Sequence, residues 1–91
     1  MVTKAPVLII DEEFRQILPP LDQSEFSTLE QMILREGILD PIFTWRGIIV
    51  DGHNRYTIAH KHDISFQTRE LSLPDRDAVK QWILEYQLSR R

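Results

Sequence analysis

The chain has 91 residues, 42% of them hydrophobic and 27% charged, which suits one small globular domain and leaves no room for two. Cysteine is absent, so disulfides, thiol nucleophiles, thiolate metal sites and iron–sulfur clusters are excluded. Eleven basic residues against fourteen acidic ones give a net charge of −3, which argues against a domain that grips DNA by bulk charge.

Val7–Ile10 is apolar and rich in branched side chains, and it predicts a short buried strand. Like Gly47–Val50, it falls far short of the roughly 20 residues of a membrane helix. The start, Met1-Val2-Thr3-Lys4-Ala5-Pro6, lacks the apolar centre of a secretion signal, so the expected address is cytoplasmic. Asp11 is placed to cap a helix over Glu12–Leu18, which Pro19-Pro20 ends. Asp22 followed by Glu25 has the capping-box interval and opens a second helix, with Ser24 an alternative cap. Phe26, Leu29, Met32 and Ile33 recur along it at helical spacing as core positions, and Gly37 supplies the stop.

After Gly37 the period changes. Ile42–Trp45 and Ile48–Val50 are β-prone runs joined by Arg46-Gly47, a two-residue hairpin signal. Asp51-Gly52-His53-Asn54 reads as a turn, Arg55–His62 as a short helix and Ile64–Leu71 as a strand. A last helix begins around Pro74–Asp77 and buries Val79, Trp82, Ile83 and Tyr86. The order β-α-α-β-β-α-β-α implies a small single α/β domain, a mixed and partly open sheet flanked by helices. The chain closes on Ser89-Arg90-Arg91 directly after a helical pattern, without a Gly, Pro or Asn stop, and reads as a fragment of a longer protein.

The chemistry concentrates at Ile48–Tyr56, where an apolar strand runs through a glycine turn into a helix. The free N–H groups and dipole of a helix start favour an anion, and glycine lets a phosphate approach closely. Arg55 adds a fork of donors suited to phosphate oxygens, and His53 and Asn54 add short polar groups. Asp51 has several roles open to it: holding Mg²⁺, orienting the turn, acting as a base, or merely capping the next helix. His60 and His62 stand two apart on one helix and so point in different directions, which makes a metal pair with Asp63 a poor fit. Trp45 and Trp82 read as core or interface residues because no basic residues interleave with them.

Two motifs in order carry a family resemblance. Gly37-Ile38-Leu39-Asp40-Pro41-Ile42, followed by Ile49-Val50-Asp51-Gly52-His53-Asn54-Arg55-Tyr56 with Ala59, resembles the N-terminal domain of ParB-type chromosome and plasmid partition proteins, the ParB/sulfiredoxin fold. The resemblance spans Val7 to Arg91. It implies that Gly37 and Pro41 border a nucleotide base and that Gly52 and Arg55 face its phosphates, to which the turn's own chemistry adds His53 and Asn54. It further implies that Glu85 and Arg90 form a third part, with Glu85 toward Mg²⁺ and Arg90 toward phosphate. The implied ligand is a nucleoside triphosphate, CTP or ATP, with Mg²⁺. The chain departs from the partition pattern at His53-Asn54, where an acid and an arginine are usual, and at Tyr86, which replaces an asparagine.

Sulfiredoxin activity is excluded because His53 stands where that enzyme carries its cysteine. The archaeal free-serine kinases share a D-G-H-x-R turn with Asp51-Gly52-His53-Asn54-Arg55. That likeness implies an alternative, a small phosphotransferase of the free-serine-kinase type with His53 and Arg55 on the phosphate and Asp51 or Glu25 as base. The principal expectation is a nucleotide-binding regulatory module of a ParB-like DNA-binding protein, concerned with partition or transcription on a plasmid, phage or other mobile element. DNA contact would come from a C-terminal region, and a homodimer is compatible with it. An interaction domain that kept the fold and lost the ligand is the third alternative.

Overall fold

The computed structural model describes residues 6–89. Asp11 opens α1 (Glu12–Arg15), its side chain accepting the Phe14 N–H at 3.2 Å. The predicted helix to Leu18 stops at Arg15, because the chain tightens there into a turn on its way to Pro19-Pro20; Ile17 and Leu18 still pack on the core. The capping box forms at the head of α2 (Gln23–Glu36): Asp22 Oδ1 accepts the Glu25 N–H at 2.7 Å, and Glu25 Oε1 accepts the Asp22 N–H at 3.1 Å. Gly37 ends α2 with a φ of +80° and donates its N–H to the Ile33 carbonyl at 2.7 Å.

The hairpin β1 (Ile42–Trp45) and β2 (Ile48–Asp51) turns through Arg46 and Gly47, whose φ values of +52° and +79° match the twist of the two strands. α3 (His53–His62) follows at once, two residues earlier than predicted, because Gly52 and not Asp51 is its N-cap. β3 (Thr68–Glu70) pairs parallel to β1 and is much shorter than the predicted Ile64–Leu71 strand. Ile64 donates its N–H to the Ala59 carbonyl at 2.9 Å and so belongs to the exit from α3. α4 (Arg76–Ser89) starts where Asp75 Oδ1 accepts the Ala78 N–H at 2.9 Å. Among the described residues no helix is long and apolar enough to cross a membrane.

The sheet has the order β2-β1-β3, with β1 antiparallel to β2 and parallel to β3, so the mixed sheet predicted from the sequence is present with three strands. Val7–Ile10 corrects a prediction. It contributes a single bridge, Ile9 to Ile48, and its side chains at Val7 and Ile9 are 81% and 59% exposed. The segment lies beyond β2 with only one neighbour to pair with, and only Leu8 packs inward.

The sheet is covered on both faces. On one side Phe43, Trp45 and Val50 meet Phe14 of α1 and Val79 and Ile83 of α4. On the other, Ile42 and Ile49 meet Tyr56 of α3, joined by Leu8 and Phe66. Thr44, buried among them, satisfies its hydroxyl by donating to Glu70 at 2.8 Å. α2 stands outside these layers and is tied to α3 through Glu30, which receives Lys61 and His62, each at 2.8 Å. That pairing holds the Glu30 carboxyl below its ordinary range, the hydrogen bond from Lys61 being the main cause. Met32 also corrects the sequence reading: it is 43% exposed, whereas Ile33 takes the buried place.

α1 is too short to stand alone, and charge fixes it to α4. Arg76 donates to Asp11 at 3.0 Å and to Glu13 at 2.7 Å, while its guanidinium lies 4.4 Å from the Phe14 ring centroid. Both carboxyls titrate below their ordinary values, chiefly through the hydrogen bond from Arg76. Phe14 is the anchor, 2% exposed and edge-on to Trp45. Phe14→Ala should therefore lower the unfolding free energy by about 3 kcal/mol in urea melts; a loss under about 1 kcal/mol would show that α1 is not part of the cooperative core.

Candidate functional site

The strand–turn–helix at Val50–Arg55 forms the floor of an open cleft of about 1120 Å³. α2 contributes Ser24, Glu25, Thr28, Leu29 and Met32 to one wall, α4 contributes Ile83 and Gln87 to another, and the Leu18–Leu21 turn closes an end. The cleft is therefore apolar along Leu18, Pro19, Leu29, Met32 and Ile83, and polar where α3 begins.

A local irregularity aims the turn. The pairing of β1 with β2 shifts between Phe43 and Thr44, so that Thr44 stands opposite Ile49, Phe43 stands opposite Asp51, and Val50 is the extra residue. Such a bulge bends the strand and redirects the side chains that follow it. Gly52 comes next with φ +105° and ψ 24°, a left-handed conformation that costs a side chain about 1–3 kcal/mol. Space is tight as well: a Cβ there would lie 3.1 Å from Arg55 Nη2 and 3.1 Å from Ile42 Cγ1, so these side chains would have to give by a few tenths of an ångström, and Ile42 is fully buried. Glycine thus suits the turn first by its conformation and second by its close packing.

As N-cap, Gly52 offers no side chain to α3, and no side-chain cap is made there. The N–H groups of His53, Asn54 and Arg55 form the first turn of this ten-residue helix beside the cleft. Arg55 is 15% exposed; its Nη2 donates to Asp51 at 3.2 Å and to the Pro41 carbonyl at 3.4 Å. Its Nη1 lies 3.8 Å from the Asp40 carboxylate. Arg55 Nε and His53 Nε2 are buried without a hydrogen-bond partner. Burial drives the His53 imidazole below its ordinary pKa, against the opposing pull of the Asp51 carboxylate, so the ring is neutral at pH 7.

The structure brings Asp51, Gly52, His53, Asn54, Arg55 and Glu25 to one cleft. One oxygen of each candidate base is already engaged, Asp51 Oδ2 with Arg55 and Glu25 Oε1 with the Asp22 N–H. Gly37 and Pro41 do not line the cleft; Pro41 meets the turn through its carbonyl, beneath Arg55. Glu85 is on the other side of α4 from Ile83 and Gln87 and accepts from Gln81 at 2.9 Å. It does not fit a metal ion at the turn, and among the described residues no cluster of three or more His, Asp or Glu side chains is built for one. Arg90 lies outside the described residues. His60 and His62 diverge as their spacing requires, one to the Pro6 carbonyl and one to Glu30.

Of the walls of the cleft, sequence reasoning reached only Glu25 as a candidate functional residue. Gln87 follows Ile83 by four residues and so shares its helical face, a signal present in the sequence. Thr28 and Ser24 carried no comparable signal, because nothing local shows that α2 stands off the sheet. The protein-family scan, the search of curated proteins and the search of solved structures each give no match to this chain.

Two outcomes are expected. Gly52→Ala should destabilise the fold by about 1–3 kcal/mol in urea melts; an unchanged midpoint would contradict the strain assigned to the left-handed turn. The His53 pKa is lower in the folded protein than the unfolded value of about 6.5, so the folded state binds fewer protons. The contribution is complete above that unfolded value and is lost as the pH falls from there toward the folded pKa. The urea midpoint should fall between pH 7.5 and 5.5, and His53→Gln should flatten this slope; an identical slope in the variant would contradict it.

Proposed function

We propose that this domain is a nucleotide-binding regulatory module that holds phosphates at the Gly52–Arg55 turn. One observation carries the reading: a helix start without a side-chain cap opens on a cleft beside a shielded arginine and a neutral histidine. Amide N–H groups, a helix dipole and a guanidinium in one place supply what a polyphosphate needs. The cleft is open and roomy enough for a nucleotide, with an apolar wall on which a base can rest. The proposed ligand is a nucleoside triphosphate, CTP or ATP, with Mg²⁺ entering as the counter-ion of the phosphates.

The resemblance to partition proteins gives the biological setting of the proposal: a ParB-like DNA-binding protein in which nucleotide occupancy alters docking of a following C-terminal region or of a second protomer. With a net charge of −3, DNA contact is assigned to that region and not to this domain. Binding is preferred to phosphotransfer because the two candidate bases, Asp51 and Glu25, are engaged in an ion pair and a helix cap.

Calorimetric titration with CTP and ATP in Mg²⁺ tests the proposal. Saturable binding by the native protein, weakened about tenfold or more in Arg55→Ala, is the expected result. Heat of dilution alone, for both nucleotides, would overturn it.

A further inference from the structure

The guanidinium of Arg55 offers its Nε and Nη groups in a fork that matches two oxygens of a phosphate or a carboxylate. One arm of the fork is claimed and the other is not: Nη2 donates to Asp51 at 3.2 Å, while Nε is buried without a partner. Asp51 and Arg55 are each 15% exposed, so their attraction is screened far less than that of a surface pair. By contrast Asp40, 3.8 Å from Nη1, is 72% exposed and weakly placed.

The bulge in β2 is what sets this pair. It puts Asp51 opposite Phe43, and Gly52 then starts α3 so that Arg55 falls four residues after Asp51. Asp51 thus presents a carboxylate to the same guanidinium that a ligand phosphate would use, beside the same helix start.

We infer that Asp51 is an internal competitor for the anion, so that phosphate binding transfers Arg55 from Asp51 to the ligand and Asp51 sets the affinity of the turn. This rests on the phosphate-binding reading above. A ligand with one anionic group must displace Asp51 with that group alone. A polyphosphate reaches Arg55 and the α3 amides together, so the turn selects polyphosphates over orthophosphate.

The experiment is calorimetric titration of inorganic tripolyphosphate, orthophosphate and CTP at one Mg²⁺ concentration. The proteins are the native chain, Asp51→Asn, Asp40→Asn, Arg55→Ala and the double variant Asp51→Asn/Arg55→Ala. Asp51→Asn should bind tripolyphosphate roughly five- to tenfold tighter, with a gain for orthophosphate no larger than that. Asp40→Asn should change affinity less than about twofold, and the gain should vanish when Arg55 is already alanine. Native binding with no gain, or a loss, in Asp51→Asn overturns the competitor role and leaves the phosphate site standing. An equal gain in Asp40→Asn, or one that persists without Arg55, also overturns it, since bulk charge then suffices. Absence of binding in both the native chain and Asp51→Asn overturns the phosphate reading itself. A measurement on the native chain stands apart from the folding of any variant. The Arg55 Nε–H NMR signal should move on adding tripolyphosphate, and a fixed signal while the His53–Arg55 amides shift would refute the transfer.

Discussion

The junction at Gly52 allows a strand buried on both faces to become, within one residue, a helix whose first turn borders a cleft. Its positive φ turns the chain, and the missing Cβ lets Arg55 lie against the backbone and over the Pro41 carbonyl. Ile42 fixes the other side of that space and is part of the core, so the site and the hydrophobic interior share one wall. A change at the turn is therefore felt by the core, and a change at Ile42 is felt by Arg55.

Around that junction the small domain is held by paired devices. The sheet buries Phe43, Trp45 and Val50 on one face and Ile42 and Ile49 on the other, which lets three short strands act as a two-sided core. Aspartates cap three of the helices in the described chain, at Asp11, Asp22 and Asp75. α3 begins with glycine instead. The ties of Arg76 to Asp11 and Glu13 supplement the Phe14 anchor of α1, and those of Lys61 and His62 to Glu30 tie α2 to α3. α2 therefore reaches the site chiefly as a wall, presenting Leu29 and Met32 to the cleft.

Much of this was legible in the sequence where a signal is local. The Asp22–Glu25 capping box, the Arg46-Gly47 hairpin turn and the helix following Pro74 all depend on neighbouring residues, and each forms. The readings that failed depend on partners distant in the chain. Val7–Ile10 has the composition of a buried strand, yet its depth is decided by whether another strand covers it. Ile64–Leu71 alternates like a strand, but only the part facing β1 finds a ladder. Met32 lies on an apolar stripe, and the stripe is wider than the contact α2 makes. At the site, the Asp51–Arg55 segment was singled out from residue types alone. The bulge that brings Asp51 to Arg55, and the cleft that gives the turn its surroundings, exist only in three dimensions.

The central claim is that the start of α3 is an anion seat. Amide NMR spectra of the native protein recorded during titration with tripolyphosphate test it most directly. The claim predicts that the largest, saturable shifts fall on the His53, Asn54 and Arg55 amides, with smaller ones along the cleft wall at Ser24 and Thr28. Shifts spread over surface lysines and arginines, with these three amides unmoved, would contradict it.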